Sequence, residues 1–182
     1  MLAQDERQVL LEIARTAIEN QLLGVKAKAF SPKGSGLVAK RGAFVTLTEE
    51  GNLRGCIGRI EPQEPLFQTV AEMARAAAFQ DSRFPPLTLS ELPKTVIEVS
   101  ILSPLERLTD IHTLEVGRHG LVVRRGFASG LLLPQVASHN RWSAEEFLDQ
   151  ACLKAGLPMG GFREPGTELF TFSAEVFSEE DV

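Results

Sequence analysis

The chain has 182 residues, 43% of them hydrophobic and 24% charged. That is the composition of one globular domain or two small subdomains sharing a core, and it excludes a disordered tail, a collagen-like chain, a coiled coil and a multidomain machine. Its 19 Lys+Arg against 24 Asp+Glu leave a formal charge of −5, so the chain as a whole lacks the positive field of a nonspecific nucleic-acid binder, while a local basic patch stays open.

Charges interrupt every apolar run of the N-terminal stretch MLAQDERQVLLEIA, and Leu131-Leu132-Leu133 stops at Pro134. Neither a secretory signal nor a membrane span is expected, which places the protein in the cytoplasm. From Asp5, the residues Val9, Leu10, Ile13, Ala14, Ala17, Ile18 and Leu22 recur at helical spacing, with Asp5 and Gln8 as the expected cap and Gly24 as the stop. Lys26 to Gly42 contains Ser31-Pro32-Lys33-Gly34-Ser35-Gly36 and is expected to be an exposed, mobile loop. Ala43–Thr48 and Leu53–Ile60 flank the turn residues Glu49-Glu50-Gly51-Asn52 and predict a hairpin. Pro65 opens a second helix with Leu66, Val70, Met73 and Ala77 on its apolar face, and the helix stops near Phe79 before Pro85-Pro86. Alternation predicts a third strand over Thr95–Leu102, and Leu121–Arg125 with Leu131–Leu133 predict a second hairpin around Gly126–Gly130. Ser143 and Glu146 form a capping box for a helix through Phe147, Leu148, Ala151, Cys152 and Ala155, closed by Gly156, and Phe170–Val176 alternates as a last strand. The order is not a strict strand-helix-strand alternation, so the fold class is α+β with a mostly antiparallel sheet and about three main helices.

Gly34-Ser35-Gly36-Leu37-Val38-Ala39 matches a dinucleotide-binding string but lacks the strand before it, and reads as a flexible loop. His112, His119 and His139 show no paired metal spacing, and Cys56 and Cys152 form no zinc or CxxC motif, so neither a metal nor a cofactor is signalled and two free thiols are expected.

The unusual segment is Leu53-Arg54-Gly55-Cys56-Ile57-Gly58-Arg59. Glycines weaken a strand, so they imply a bulge or the close approach of a ligand or another backbone. Period two puts Arg54 and Cys56 on one face, where a guanidinium favours the thiolate and offers a fork for a carboxylate or phosphate. The plainer reading, Cys56 as a small buried hydrophobe in a bent strand, stays open beside it. Cys152 falls on an apolar helix face and reads as core. Asp81 and Arg83 flank the proline loop, either lining a cleft or steadying a turn. His119 is a candidate base, with nothing in the sequence to bring it to Cys56. Arg124, Arg125 and Arg141 with Trp142 offer a basic and aromatic patch for nucleic acid, but strand alternation splits its charge, which argues against such a module.

Leu53-Arg54-Gly55-Cys56-Ile57-Gly58 followed by Asp81-Ser82-Arg83-Phe84-Pro85-Pro86-Leu87 resembles the AMME chromosomal region protein family, whose prokaryotic members are called AmmeMemoRadiSam system protein A. The resemblance extends through Gly42–Leu47, Val116-Gly117-Arg118-His119-Gly120, Leu132–Ala137, Trp142, Glu146-Phe147-Leu148 and Lys154-Ala155-Gly156-Leu157. It implies a single AMMECR domain over residues 1–182, built of two interleaved subdomains with a cleft between them. It also implies a proposed functional site at Leu53–Gly58, and company with Memo-like and radical SAM proteins. The family has no established activity. The chain departs from the family's usual pattern at Ser82 and at Ser138-His139-Asn140.

Three functions are open at this stage. A binding or accessory protein would use Arg54, Gly55, Gly58, Asp81, Arg83 and His119 to hold an anionic small molecule or a partner. An enzyme would use Cys56 as a nucleophile activated by Arg54. A nucleic-acid module would rest on Arg124 and Arg125 alone.

Overall fold

A computed structural model describes residues 1–26 and 30–181. Helix α1 (Gln4–Leu22) forms where the heptad-like apolar spacing begins, and its inward face buries Leu10, Ile13, Ala14, Ala17 and Ile18. Its cap differs from expectation. The Ala3 N–H donates to the Glu6 carboxylate at 3.2 Å, so Asp5 lies inside the first turn. Gly24 follows the helix at φ +64°, the left-handed conformation that glycine takes at little cost.

Part of the connector is ordered, contrary to the expected mobile loop. Ser35–Val38 forms a single helical turn, α2, anchored by Leu37, which is 1% exposed, and by the Gly36 N–H donating to Glu6 at 3.1 Å. Burial of one leucine contributes about 2 kcal/mol toward ordering this turn. Residues 30–34 before the turn are irregular, so among the described residues no strand leads into the glycines. Residues 27–29 of the expected loop lie outside the described residues.

Strands β1 (Ala43–Glu49) and β2 (Asn52–Arg59) form the expected hairpin. Glu50 and Gly51 both adopt positive φ, 51° and 78°, as a two-residue hairpin turn requires. Helix α3 (Leu66–Phe79) follows Pro65, and β3 (Thr95–Leu102) pairs antiparallel with β1. Val45, Leu47, Ile97, Val99 and Ile101 point from this sheet into a core shared with α1 and α3, while Phe44, Thr46, Glu98 and Ser100 fall on the opposite face.

The chain divides into two compact units, one of residues 1–102 and 175–182, the other of residues 103–174. The second unit is built from β4 (Glu106–Arg107), β5 (His119–Arg125), β6 (Ala128–Leu132), α4 (Pro134–Asn140), α5 (Ala144–Lys154) and the first part of β7 (Glu168–Ser178). All its strand pairs are antiparallel. Ser143 and Glu146 close the predicted capping box on α5, and Phe147, Leu148, Ala151 and Cys152 pack with Leu121, Val123 and Leu169 in a second core. Helix α4 was not foreseen; Pro134, read as a stop, is its first residue, where the missing N–H is no loss. Among the described residues no helix is long and apolar enough to cross a membrane. The result is the expected α+β class.

Candidate functional site

The register of the first hairpin explains the geometry of residues 53–58. Leu47 pairs with Gly55 and Thr48 with Leu53, so Arg54 is the extra residue of a β-bulge and has no cross-strand partner. Its side chain is buried and held by Glu91, with Nε donating to Oε1 at 2.9 Å and Nη2 to Oε2 at 3.3 Å. The guanidinium carbon also lies 6.0 Å from the centre of the Phe84 ring. Nη1 is buried without a hydrogen-bond partner. Arg54 is therefore engaged by a carboxylate, and the expected pairing of its charge with the Cys56 thiol gives way to the pairing with Glu91. The bulge is the physical reason, since it takes Arg54 out of the period-two alternation that linked the two residues.

The glycines are packed rather than open to a ligand. A Cβ at Gly55 would stand 2.2 Å from the Ala77 carbonyl oxygen of α3. At Gly58 it would stand 2.1 Å from the ring of Phe44, its cross-strand partner. Of the approaches that the sequence left open, these are another backbone at Gly55 and a ring at Gly58.

Cys56 is half-buried and faces Thr46 across the strand pair, with the Thr46 hydroxyl donating to Sγ at 3.3 Å. On the free edge of β2, the Cys56 N–H donates to Asp81 Oδ2 at 2.9 Å, and its carbonyl accepts from Arg83 Nη2 at 3.3 Å. Asp81 and Arg83 also bind each other, at 2.9 Å from Nε to Oδ1 and 2.6 Å from Nη2 to Oδ2, and Asp81 accepts the Arg83 N–H at 3.2 Å. Both readings of this pair hold at once: it steadies its own turn and clamps the strand edge. Two side chains thus do for Cys56 what a neighbouring strand does elsewhere in a sheet, and leave no unpaired backbone group at that residue.

The electrostatics follow from this arrangement. The side-chain hydrogen bonds from Arg83, helped by the Cys56 and Arg83 N–H groups, hold Asp81 far below the usual carboxylate range against the opposing effect of burial. Asp81 in turn raises the pKa of Arg83, and Cys56 adds a smaller electrostatic contribution in the same direction. The guanidinium that senses the thiol is thus Arg83, whose side chain is 54% exposed. Glu91 is lowered to about 2, first by the hydrogen bonds from Arg54 and then by Thr88.

Three participants escaped sequence reasoning: Glu91, Thr46 and Phe84. Glu91 had a signal, since Thr88 stands three residues before it. The Thr88 N–H and hydroxyl donate to Glu91 at 2.8 and 2.7 Å, the spacing of a capping box. Thr46 is found only once the register is known. Phe84 carries Arg83 at 5.5 Å as well as Arg54.

The remaining candidates lie elsewhere in the chain. His119 opens β5 in the second unit, where Nδ1 accepts from the Glu115 N–H at 3.1 Å. Cys152 is fully buried in the second core, as expected, and burial pushes its thiol pKa up. Of the basic grouping, Trp142 packs against the second core and Arg124 lies 5.2 Å from the Phe170 ring. Among the described residues no three His, Cys, Asp or Glu side chains converge to hold a metal ion.

Comparison with known proteins accounts for nearly the whole chain. The AMMECR1 family model matches residues 11–177. A protein of Methanothermobacter thermautotrophicus is 46% identical over 98% of this chain and 97% of its own length. One from Methanopyrus kandleri is 44% identical over 99% and 91%. The crystal structure of an uncharacterised protein from Pyrococcus horikoshii superposes with a TM-score of 0.91 at 38% identity, covering 99% of this chain and 94% of that one. None of these names states an activity. The matched segment contains Leu53–Gly58 and the Asp81–Arg83 clamp, and on this match the chain belongs to the AMMECR1 family.

Proposed function

We propose that this chain is a binding or accessory protein that offers an anionic group, on a small molecule or a partner, a contact at Arg83 beside Cys56. The observation that carries the reading is the clamp. Asp81 fixes Arg83 against the Cys56 backbone while more than half of the guanidinium side chain stays exposed. A guanidinium already oriented loses little freedom on gripping a carboxylate or phosphate. Proton-transfer chemistry is poorly served by the same arrangement. The carboxylate nearest Cys56 has both oxygens engaged and its proton affinity strongly lowered, which makes Asp81 a weak general base. Memo-like and radical SAM proteins are the partners that the sequence resemblance supplies for such a surface.

Titration with inorganic phosphate, followed at the Cys56 amide and the Arg83 Nε–H by nitrogen–proton NMR, tests this. Saturable shifts that disappear in Arg83→Gln are expected. Unmoved resonances at both positions overturn the reading.

A cysteine-dependent enzyme is the second reading, favoured by the half-buried Cys56 thiol whose Sγ accepts from the Thr46 hydroxyl at 3.3 Å. Alkylation of Cys56 measured against pH separates the two. A thiol titrating near about 8.5, with phosphate binding retained in Cys56→Ala, leaves the binding protein and removes the nucleophile.

A further inference from the structure

The second unit contains a cavity of about 150 Å³ whose walls include Ser103, Glu106, Arg118, His119, Thr171 and Ser173. The register explains why polar side chains gather there. Ser173 lies directly opposite His119 in the β5–β7 pair, and Glu106 directly opposite Thr171 in the β4–β7 pair. Opposed residues share a face, so one end of this small sheet places an imidazole, a carboxylate and hydroxyls around one space.

Some of these groups are used up by the fold. The Ser103 hydroxyl donates to the Pro104 carbonyl and accepts the Ser173 N–H, at 3.1 and 3.0 Å. Arg118 gives Nη1 to both oxygens of Glu115 at 3.1 and 3.0 Å. Other capacity is left over. The Nδ1 atom of His119 accepts from the Glu115 N–H, which fixes the ring and puts the proton of the neutral imidazole on Nε2 as a donor. Thr171 is only 8% exposed, and its hydroxyl and that of Ser173 have no partner among the described residues. Glu106 makes no ion pair among the described residues, and the cation beside it in sequence, Arg107, pairs with Glu168 at 3.4 Å. A guanidinium with unused N–H groups and an unpaired carboxylate thus line one space with hydroxyls between them.

An anion alone would meet Glu106 unfavourably, and a cation alone would leave the Nε2–H of His119 and the unused N–H groups of Arg118, whose charge Glu115 offsets, without an acceptor; a molecule carrying both charges satisfies both walls. The volume restricts its size, since pockets for drug-sized ligands run to roughly 300–1,000 Å³. We infer that this cavity is a binding site for a small zwitterion of the α-amino acid class, its carboxylate toward Arg118 and His119 and its ammonium toward Glu106. The site is independent of the Cys56 region, so either can fail without the other.

The test uses glycine as probe, with acetate and methylammonium as the two half-molecules at equal ionic strength, read on the His119 ring protons by NMR; comparison with His119→Gln identifies the signal. Saturable shifts with glycine at an affinity at least about tenfold above either half-molecule are expected, because each charge contributes a charge-assisted hydrogen bond that the half-molecule lacks. Glu106→Gln and Arg118→Gln each reduce glycine affinity by about tenfold. Acetate binding as tightly as glycine overturns the proposal, leaving an anion site only. Absence of a saturable shift with glycine and with alanine also overturns it. The unsubstituted protein decides the question, so a variant that fails to fold leaves the test intact.

Discussion

Strands β2 and β5–β6 use the same packing device. Gly58 lies under the ring of its cross-strand partner Phe44, and Gly120 lies under the ring of its cross-strand partner Phe172. Gly55 meets the backbone of α3 at Ala77, and Gly130 meets the backbone at the end of α5, at Lys154 and the following Ala155. The difference lies at the strand edge: in the first unit Asp81 and Arg83 grip the main chain of Cys56. Glycines in a strand therefore report packing in both units, and the charged clamp is what sets the Cys56 region apart.

Breaking the shared device has the largest expected effect. Gly55→Val and Gly130→Val drive a side chain into helix backbone, at 2.2 Å from the Ala77 carbonyl oxygen and 2.4 Å from the Ala155 nitrogen. Neither neighbour can turn away, and a loss of about 3 kcal/mol or more is expected for each. At Gly58 and Gly120 the obstacle is a side-chain ring rather than backbone, the root of the Phe44 ring and the tip of the buried Phe172 ring, so alanine there costs about 1–3 kcal/mol. Urea denaturation midpoints at constant m-value check the ranking. Near-wild-type stability of Gly55→Val would remove the packing explanation from β2 and return its glycine to a ligand.

Removing the clamp separates the two regions. Asp81→Ala leaves the Cys56 N–H without its acceptor in a half-buried setting and frees Arg83, and a loss of about 2–3 kcal/mol follows. Faster hydrogen exchange at the Cys56 amide should accompany it. An unchanged exchange rate would mean that the strand edge holds its shape unaided.

Acid weakens the same region through Glu91. Its folded pKa lies below its ordinary value, so the stability it confers is fully present above about 4.5 and fades as the pH falls toward about 2. In Arg54→Met the largest cause of the shift, the hydrogen bonds from the guanidinium, is gone, and the acid-dependent loss between those two values should shrink. A denaturation series across that pH window that is the same for both proteins would place the acid sensitivity elsewhere.

The sequence carries the elements of this fold more fully than its site. Helix α3, strand β3 and the Ser143–Glu146 cap are local matters of periodicity and capping, and they lie where the pattern puts them. The site depends on register. A single extra residue at Arg54 redirects that guanidinium to Glu91, and no periodicity argument includes a bulge in advance. The meeting of Asp81 with Cys56 joins residues 25 positions apart, and spacing alone holds no information about it. The resemblance grouped the two motifs; it did not say which arginine stands at the thiol.

The smallest stability effect is the most informative about that arginine. In Arg83→Gln, Asp81 keeps the Cys56 N–H but, with its side chain 4% exposed, loses the guanidinium on both oxygens, so a loss of about 1–2 kcal/mol is expected, below that of Asp81→Ala. Alkylation of Cys56 by iodoacetamide near neutral pH then tells whether the guanidinium on the Cys56 carbonyl also acts on the sulfur. Cys152 serves as the internal reference, because it is fully buried with its thiol pKa raised and stays unlabelled while the protein is folded. If Arg83→Gln labels at the native rate, Arg83 only braces the strand edge. If it labels more slowly with no more than that loss of stability, Asp81 carries most of the structural half of the clamp and Arg83 the half that faces a ligand.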